Sequence, residues 1–195
     1  ATDQPELLHR YPDADRATEA LAQAIGVDPS LVVLTNGGAE AIALVAELER
    51  VGEVLAPEFS LYERHLSQVA VGAPRWRSNP SNPLGCLAQQ TEGARVWDEA
   101  FYPIATGSWT RGDHESWRLG SLTKLWSCPG LRLGYLLAPS VEGAAAIRSQ
   151  QPRWSVNALA LAALPELLEL TDLSGWATSI SALRSEEHTS ELQSH

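Results

Sequence analysis

The run Leu31–Leu34 is rich in branched aliphatic residues, ends in Thr35, Asn36, Gly37 and Gly38, and passes directly into the apolar pattern Ala41, Ile42, Leu44, Val45 and Leu48. Such a run suits a buried strand, the three-and-four spacing suits one face of a helix, and the glycine pair between them reads as a turn at a helix N-terminus. A strand feeding a helix through so short a turn points to an α/β domain with a mostly parallel sheet. The rest of the chain keeps the alternation. Val54–Ala56, Arg95–Trp97, Trp117–Leu119 and Leu133–Leu137 read as further strands, and Asp13 is placed to cap a helix that runs to Ile25 and stops at Gly26. Helices are predicted over Val141–Ser149 and from Ser155 onward, with Pro165 kinking or ending the second. The polar, proline-rich stretch from Pro74 to Pro83 is predicted to form loops.

The 195 residues, 44% hydrophobic and 19% charged, are enough for one domain with a sizeable core. A net charge of -10 argues against nucleic acid or an anionic membrane as partner, and no apolar run approaches the length of a membrane span. The expectation is a cytoplasmic protein that handles a small molecule, with no charged-then-apolar leader at its start. Cys86 and Cys128 lack metal-ligand spacing and read as small buried hydrophobes, so no metal site is expected. Both ends look artificial. The chain holds no Met, which suggests that preceding residues are missing, and residues 184–195 resemble the translation of a sequencing adapter. Residues 1–183 are therefore taken as native. Setting the tail aside removes one Arg and three Glu, which leaves a net charge of -8 and gives His188 and His195 no functional weight.

Arginine occurs thirteen times and lysine once, at Lys124. Arginine replaces lysine as a surface cation but not as an amine, because its guanidinium stays protonated and is a poor nucleophile. A lone lysine is thus a candidate Schiff-base residue. It stands in Ser121-Leu122-Thr123-Lys124, followed eight residues later by Arg132 in a Gly-Leu-Arg-Leu-Gly run. This segment resembles the class I/II aminotransferases of pyridoxal-phosphate fold type I. In that resemblance Lys124 carries the cofactor, pyridoxal 5'-phosphate, while Ser121, Thr123 and Arg132 hold its phosphate.

Other segments follow the family's order. Gly37, Gly38, Ala39 and Glu40 open a helix whose backbone N–H groups suit a phosphate, so Gly38, Ala39 and Glu40 are assigned to cofactor binding. Pro57–Tyr62 is similar to the family loop whose first aromatic, here Phe59, stacks on the pyridine ring. Asn79–Gly85 is similar to the Asn-Pro-x-Asn-Pro-Thr-Gly loop, with Asn82 as the ring-oxygen donor and Leu84 in place of the usual Thr. Asp98, at the end of a strand, takes the position of the carboxylate that keeps the pyridine nitrogen protonated. Tyr11 resembles a tyrosine extended to the phosphate of a neighbouring subunit, which implies a homodimer.

The resemblance implies the three-layer α/β/α large domain of fold type I, with the small C-terminal domain and its substrate-carboxylate arginine absent from these residues. Within the family the finer resemblance is to the threonine-phosphate decarboxylases, which act in cobalamin biosynthesis, and to the histidinol-phosphate aminotransferases. Phe101, where aminotransferases usually carry Tyr, and Trp154–Asn157 favour the decarboxylases. Tyr102 is not expected to replace the missing phenol, since neighbouring strand residues face opposite ways. The substrate would be an amino acid or its phosphate ester, with Arg153 and Asn157 as substrate contacts. Hypotheses of decarboxylase, aminotransferase and non-catalytic cofactor sensor all remain open. Finally, Phe59–Asn82 is shorter than the family pattern, as if a strand and a helix were lacking.

Overall fold

The computed structural model describes the backbone of residues 5–193 and the side chains of residues 5–183 other than Leu8. Its strands are β1 (Val32–Asn36), β2 (Val51–Val54), β3 (Gln68–Val69), β4 (Arg75–Ser78), β5 (Val96–Asp98), β6 (Trp117–Ser121) and β7 (Leu133–Leu137). Its helices are α1 (Asp15–Ile25), α2 (Gly37–Glu49), α3 (Leu61–His65), α4 (Tyr102–Thr106), α5 (Leu122–Leu125), α6 (Val141–Gln150), α7 (Ala158–Glu169) and α8 (Leu173–Gln193).

The strands join in one sheet of order β1-β7-β6-β5-β4-β2-β3. The pairs β2–β3, β2–β4, β4–β5 and β5–β6 are parallel, and β7 runs antiparallel to both β6 and β1. Side chains alternate across the sheet, so each strand feeds two cores. Trp76, Val96 and Trp117 stand in register on one face and pack beneath α2, α3 and α6 with Ile42, Val45, Tyr62 and Ile147. On the other face Val32, Leu34, Leu133 and Tyr135 meet Leu21 of α1 and Leu161 and Leu164 of α7. The result is the expected three-layer arrangement.

The face that carries Trp97 also buries ions. Glu99 accepts the Arg111 N–H at 2.9 Å, while Arg118 donates to the Thr110 hydroxyl at 3.3 Å. Burial pushes the Glu99 carboxyl up to about 7, against the pull of hydrogen bonds from the Arg111 N–H and the Thr110 hydroxyl and of the Arg118 and Arg111 charges.

Several sequence expectations need correction. Pro74–Pro83 is not all loop: Arg75–Ser78 is β4, an interior strand paired on both sides. Its alternation of two arginines with Trp76 and Ser78 masks the usual apolar signal, because one face is lined by charge. The second strand is Val51–Val54, not Val54–Ala56, since Ala56 precedes Pro57 in the exposed turn that follows. Helix α7 starts at Ala158, with Asn157 accepting the Ala160 N–H at 2.9 Å, and continues through Pro165 to Glu169. Within Phe59–Asn82, read from sequence as a short segment, lie α3 and the strands β3 and β4.

The backbone of α8 runs past residue 183 to Gln193, and the remainder of the adapter-like segment lies outside the described residues. Among the described residues no helix is long and apolar enough to cross a membrane.

Candidate active site

The turn between β1 and α2 is shaped by two glycines and one arginine. Gly37 has φ +75°, a left-handed conformation natural to glycine, and a Cβ there would stand 2.6 Å from an Arg132 guanidinium nitrogen. Across the ladder, Gly134 of β7 pairs with Thr35, and a Cβ on it would meet the Gly37 backbone at 2.5 Å. Both absences of side chain let the N-terminus of α2 settle against β7 beside Arg132. Arg132 itself adopts φ 52° and ψ 54°, an uncommon conformation for a residue with a side chain. Its guanidinium donates to the Asn36 carbonyl at 3.3 Å.

Beside this turn, β6 ends at Ser121 and leads into the single-turn α5. The Ser121 and Thr123 hydroxyls lie 2.9 Å apart, and the Ser121 side chain lies against Gly38. Lys124 follows on α5, exposed, with its Nζ 5.7 Å from the centre of the Phe101 ring.

At the opposite side stands Asp98, the last residue of β5. Its carboxylate accepts the Tyr62 hydroxyl at 2.8 Å and the Ala100 N–H at 3.0 Å. Burial raises the Asp98 pKa, opposed by these two hydrogen bonds and by the Lys124 charge. The Tyr62 hydroxyl is itself pushed up by burial and then by the Asp98 charge, so it remains a donor. Phe59 packs edge-on against Tyr62, with ring centres 5.8 Å apart and planes at 83°. Asn82 stands between Pro80 and Pro83, its N–H donating to the Ser78 hydroxyl at 2.7 Å.

These parts surround one cavity of about 310 Å³, lined by Gly38, Ala39, Phe59, Asn82, Asp98, Ser121, Thr123, Lys124 and Arg132 together with Ser78, Phe101 and apolar neighbours. Nine of the eleven residues singled out from sequence are therefore brought together.

Two are not. The Glu40 carboxylate turns back to accept the Asn36 N–H at 2.7 Å and the Gln151 amide at 3.1 Å, which caps α2 and leaves its side chain outside the cavity. Tyr11 is 75% exposed and stacks on Trp154, with ring centres 4.2 Å apart, away from the cavity of its own chain. Arg153 and Trp154 line a different hollow of about 540 Å³, and the Asn157 side chain is occupied by its cap and by a 3.0 Å bond to the Leu131 carbonyl. Tyr102 stays out of the cavity for a reason other than strand alternation. It opens α4 and lies near the Glu99 and Arg111 charges, while Phe101, 41% exposed, lines the cavity.

Sequence reasoning passed over Tyr62, which lies in the first turn of α3 three residues after Phe59 and packs against its ring. Tyr62→Phe should lower affinity for a cationic ring bound against Asp98 by roughly tenfold, because a charge-assisted hydrogen bond is lost. It should also move the acid limb of binding to higher pH, since the hydroxyl holds the Asp98 pKa down. Titration of pyridoxal phosphate by its visible absorbance across pH checks both, and an unchanged profile would count against the role.

The donor set fits pyridoxal phosphate. Two hydroxyls, a guanidinium and the N–H groups opening the thirteen-residue α2 match a phosphate, while a buried carboxylate matches a protonated ring nitrogen.

No family model matches the sequence. The chain is 32% identical over 205 aligned residues to the threonine-phosphate decarboxylase of Salmonella typhimurium, covering 81% of this chain and 56% of that protein. It is 31% identical to a histidinol-phosphate aminotransferase of Mycobacterium bovis, covering 82% of the chain and 54% of the relative. Among solved structures, the histidinol-phosphate aminotransferase of Sinorhizobium meliloti in complex with pyridoxal-5'-phosphate superposes with a TM-score of 0.76 at 18% identity, covering 94% of this chain and 63% of that one. The chain thus spans about half the length of the two relatives, and its fold is the class I/II aminotransferase-like fold of the large domain.

Proposed function

We propose that this chain is the cofactor-binding part of a pyridoxal-phosphate-dependent enzyme acting on an amino acid, and that its reaction is decarboxylation of L-threonine O-3-phosphate or a close analogue. The observation that carries the first half is the convergence of Lys124, Asp98, Ser121, Thr123 and Arg132 on one cavity. The second half rests on Phe101, which gives the cavity no phenol beside Lys124, and on the likeness to a threonine-phosphate decarboxylase.

Bound here, pyridoxal phosphate would supply an aldehyde that exchanges amines and a protonated ring that draws electrons from the substrate's α-carbon. Ser121, Thr123, Arg132 and the N–H groups of Gly38 and Ala39 would hold its phosphate, and Phe59 would cover one ring face. Asn82 would donate to the ring oxygen. Asp98 would accept the ring N–H and keep that proton in place, with Tyr62 holding the carboxylate's orientation. Lys124 would hold the aldehyde carbon and afterwards carry a proton to or from the substrate carbon. A second copy would bring Tyr11 to the phosphate, so the working form is a homodimer in the cytoplasm. Residues 1–183 would be the native domain, with 184–195 foreign to it.

An aminotransferase is the second reading, favoured by the exposed Lys124 amine and by the similarity to a histidinol-phosphate aminotransferase. In the full-length protein, CO2 release from L-threonine phosphate without an added 2-oxo acid is the expected result. Turnover that appears only with a 2-oxo acid acceptor would transfer the assignment to transamination.

A further inference from the structure

Glu58 lies between the two loops that bring Phe59 and Asn82 to the cavity. Its carboxylate accepts the Ser78 hydroxyl at 2.5 Å and the Ser78 N–H at 3.3 Å, and the Phe59 N–H approaches it at 3.4 Å. The Ser78 oxygen in turn accepts the Asn82 N–H at 2.7 Å. Since a carboxylate only accepts and a backbone N–H only donates, the direction of this chain is fixed: Asn82 to Ser78 to Glu58. One residue therefore ends a hydrogen-bonded line that begins at Asn82 and is joined covalently to Phe59.

Among the described residues the carboxylate has no ion-pair partner. Asp98 on β5 and the Tyr62 hydroxyl on α3 face it, and Arg77 on β4 senses its charge without touching it. A half-buried carboxylate beside another carboxylate is costly, and burial first, then Asp98, raise its pKa. The hydrogen bonds from Ser78 are what offset that cost.

We propose that Glu58 is a positioning residue, tying the Phe59 loop to the Asn82 loop so that both side chains meet one bound ring in a fixed relation. This rests on the reading of the cavity as a pyridoxal-phosphate site. Because Glu58 itself stays behind Ser78, its effect passes through the two loops and not through contact with the cofactor.

The test uses Glu58→Gln, Ser78→Ala and the double variant of the full-length protein. Glu58→Gln should weaken pyridoxal-phosphate binding roughly tenfold, as a charged acceptor becomes neutral. It should also change the induced circular dichroism of the bound cofactor, while the cofactor-free Tm stays near wild type. Ser78→Ala should weaken binding by a similar factor but also lower the cofactor-free Tm, because it takes the hydroxyl partner from the half-buried Glu58 carboxylate, and the double variant should lose little more affinity than either, because both cut one line. Wild-type affinity and dichroism in Glu58→Gln, or a fall in that variant's cofactor-free Tm large enough to explain the lost affinity, would overturn the proposal. If the wild type binds no pyridoxal phosphate, the cofactor reading fails. Amide exchange over residues 78–82 then decides: acceleration in Glu58→Gln supports the linkage, and unchanged exchange overturns it.

Discussion

Lys124→Ala is expected to abolish borohydride-stable attachment of pyridoxal phosphate in the cavity and to lower turnover by about 10²- to 10⁴-fold, the range a lost proton carrier alone accounts for. The chain makes this result unusually easy to interpret. Among these 195 residues there is one lysine beside thirteen arginines, so within this segment peptide mapping after reduction has a single side-chain amine, Lys124, to find. Lys124→Arg should fail equally, since a guanidinium keeps the charge and loses the nucleophile. Neither change should disturb folding much, because the Lys124 side chain is exposed and its neighbours Leu122, Thr123 and Leu125 carry the burial of α5. A thermal midpoint near wild type would establish that the loss is chemical. An adduct on the amino terminus alone, or full turnover in Lys124→Ala, would remove the lysine from the mechanism.

The strand-turn-helix around Gly37 was legible because its period changes from a buried run to helical spacing across two glycines, and β7 because Leu133–Leu137 is uniformly buried. Strand β4 was hidden because its two faces meet different surroundings: Trp76 enters the core while Arg75 and Arg77 lie beside Glu92, a pattern that resembles a polar loop. The cavity residues could be named from short motifs, since each motif lies at a strand end or helix start that the fold directs to one edge. What linear motifs do not carry is the hydrogen bonding between them. Tyr62 reaches Asp98 across thirty-six positions and Glu58 reaches Ser78 across twenty, and these contacts depend on β2, β4 and β5 lying side by side. Glu40 was misread for a related reason. A helix N-terminus offers its N–H groups to an anion, but a carboxylate in the first turn caps the helix instead.

Asp98→Asn should separate cofactor chemistry from folding, with opposite signs for the two. In the cofactor-free protein, burial raises the Asp98 pKa above its unfolded value, so the folded state prefers the protonated form. Stability from this group is then present at low pH and is lost as pH rises through the folded pKa. Asparagine carries no charge at any pH and can keep both contacts, its oxygen accepting the Ala100 N–H and its amide donating to the Tyr62 oxygen. The cofactor-free variant should therefore match or exceed wild-type stability at neutral pH, with the difference vanishing on acidification. Bound pyridoxal phosphate reverses the sign, because a protonated ring nitrogen needs an anion that asparagine does not provide. Affinity should fall about 10- to 100-fold, and turnover about a thousandfold, through loss of a preorganised charge at the ring. Differential scanning of the cofactor-free protein at several pH values, beside cofactor titration and turnover, reads all three. A variant less stable at neutral pH, or one that keeps wild-type turnover, would mean that Asp98 serves the strand end and not the cofactor.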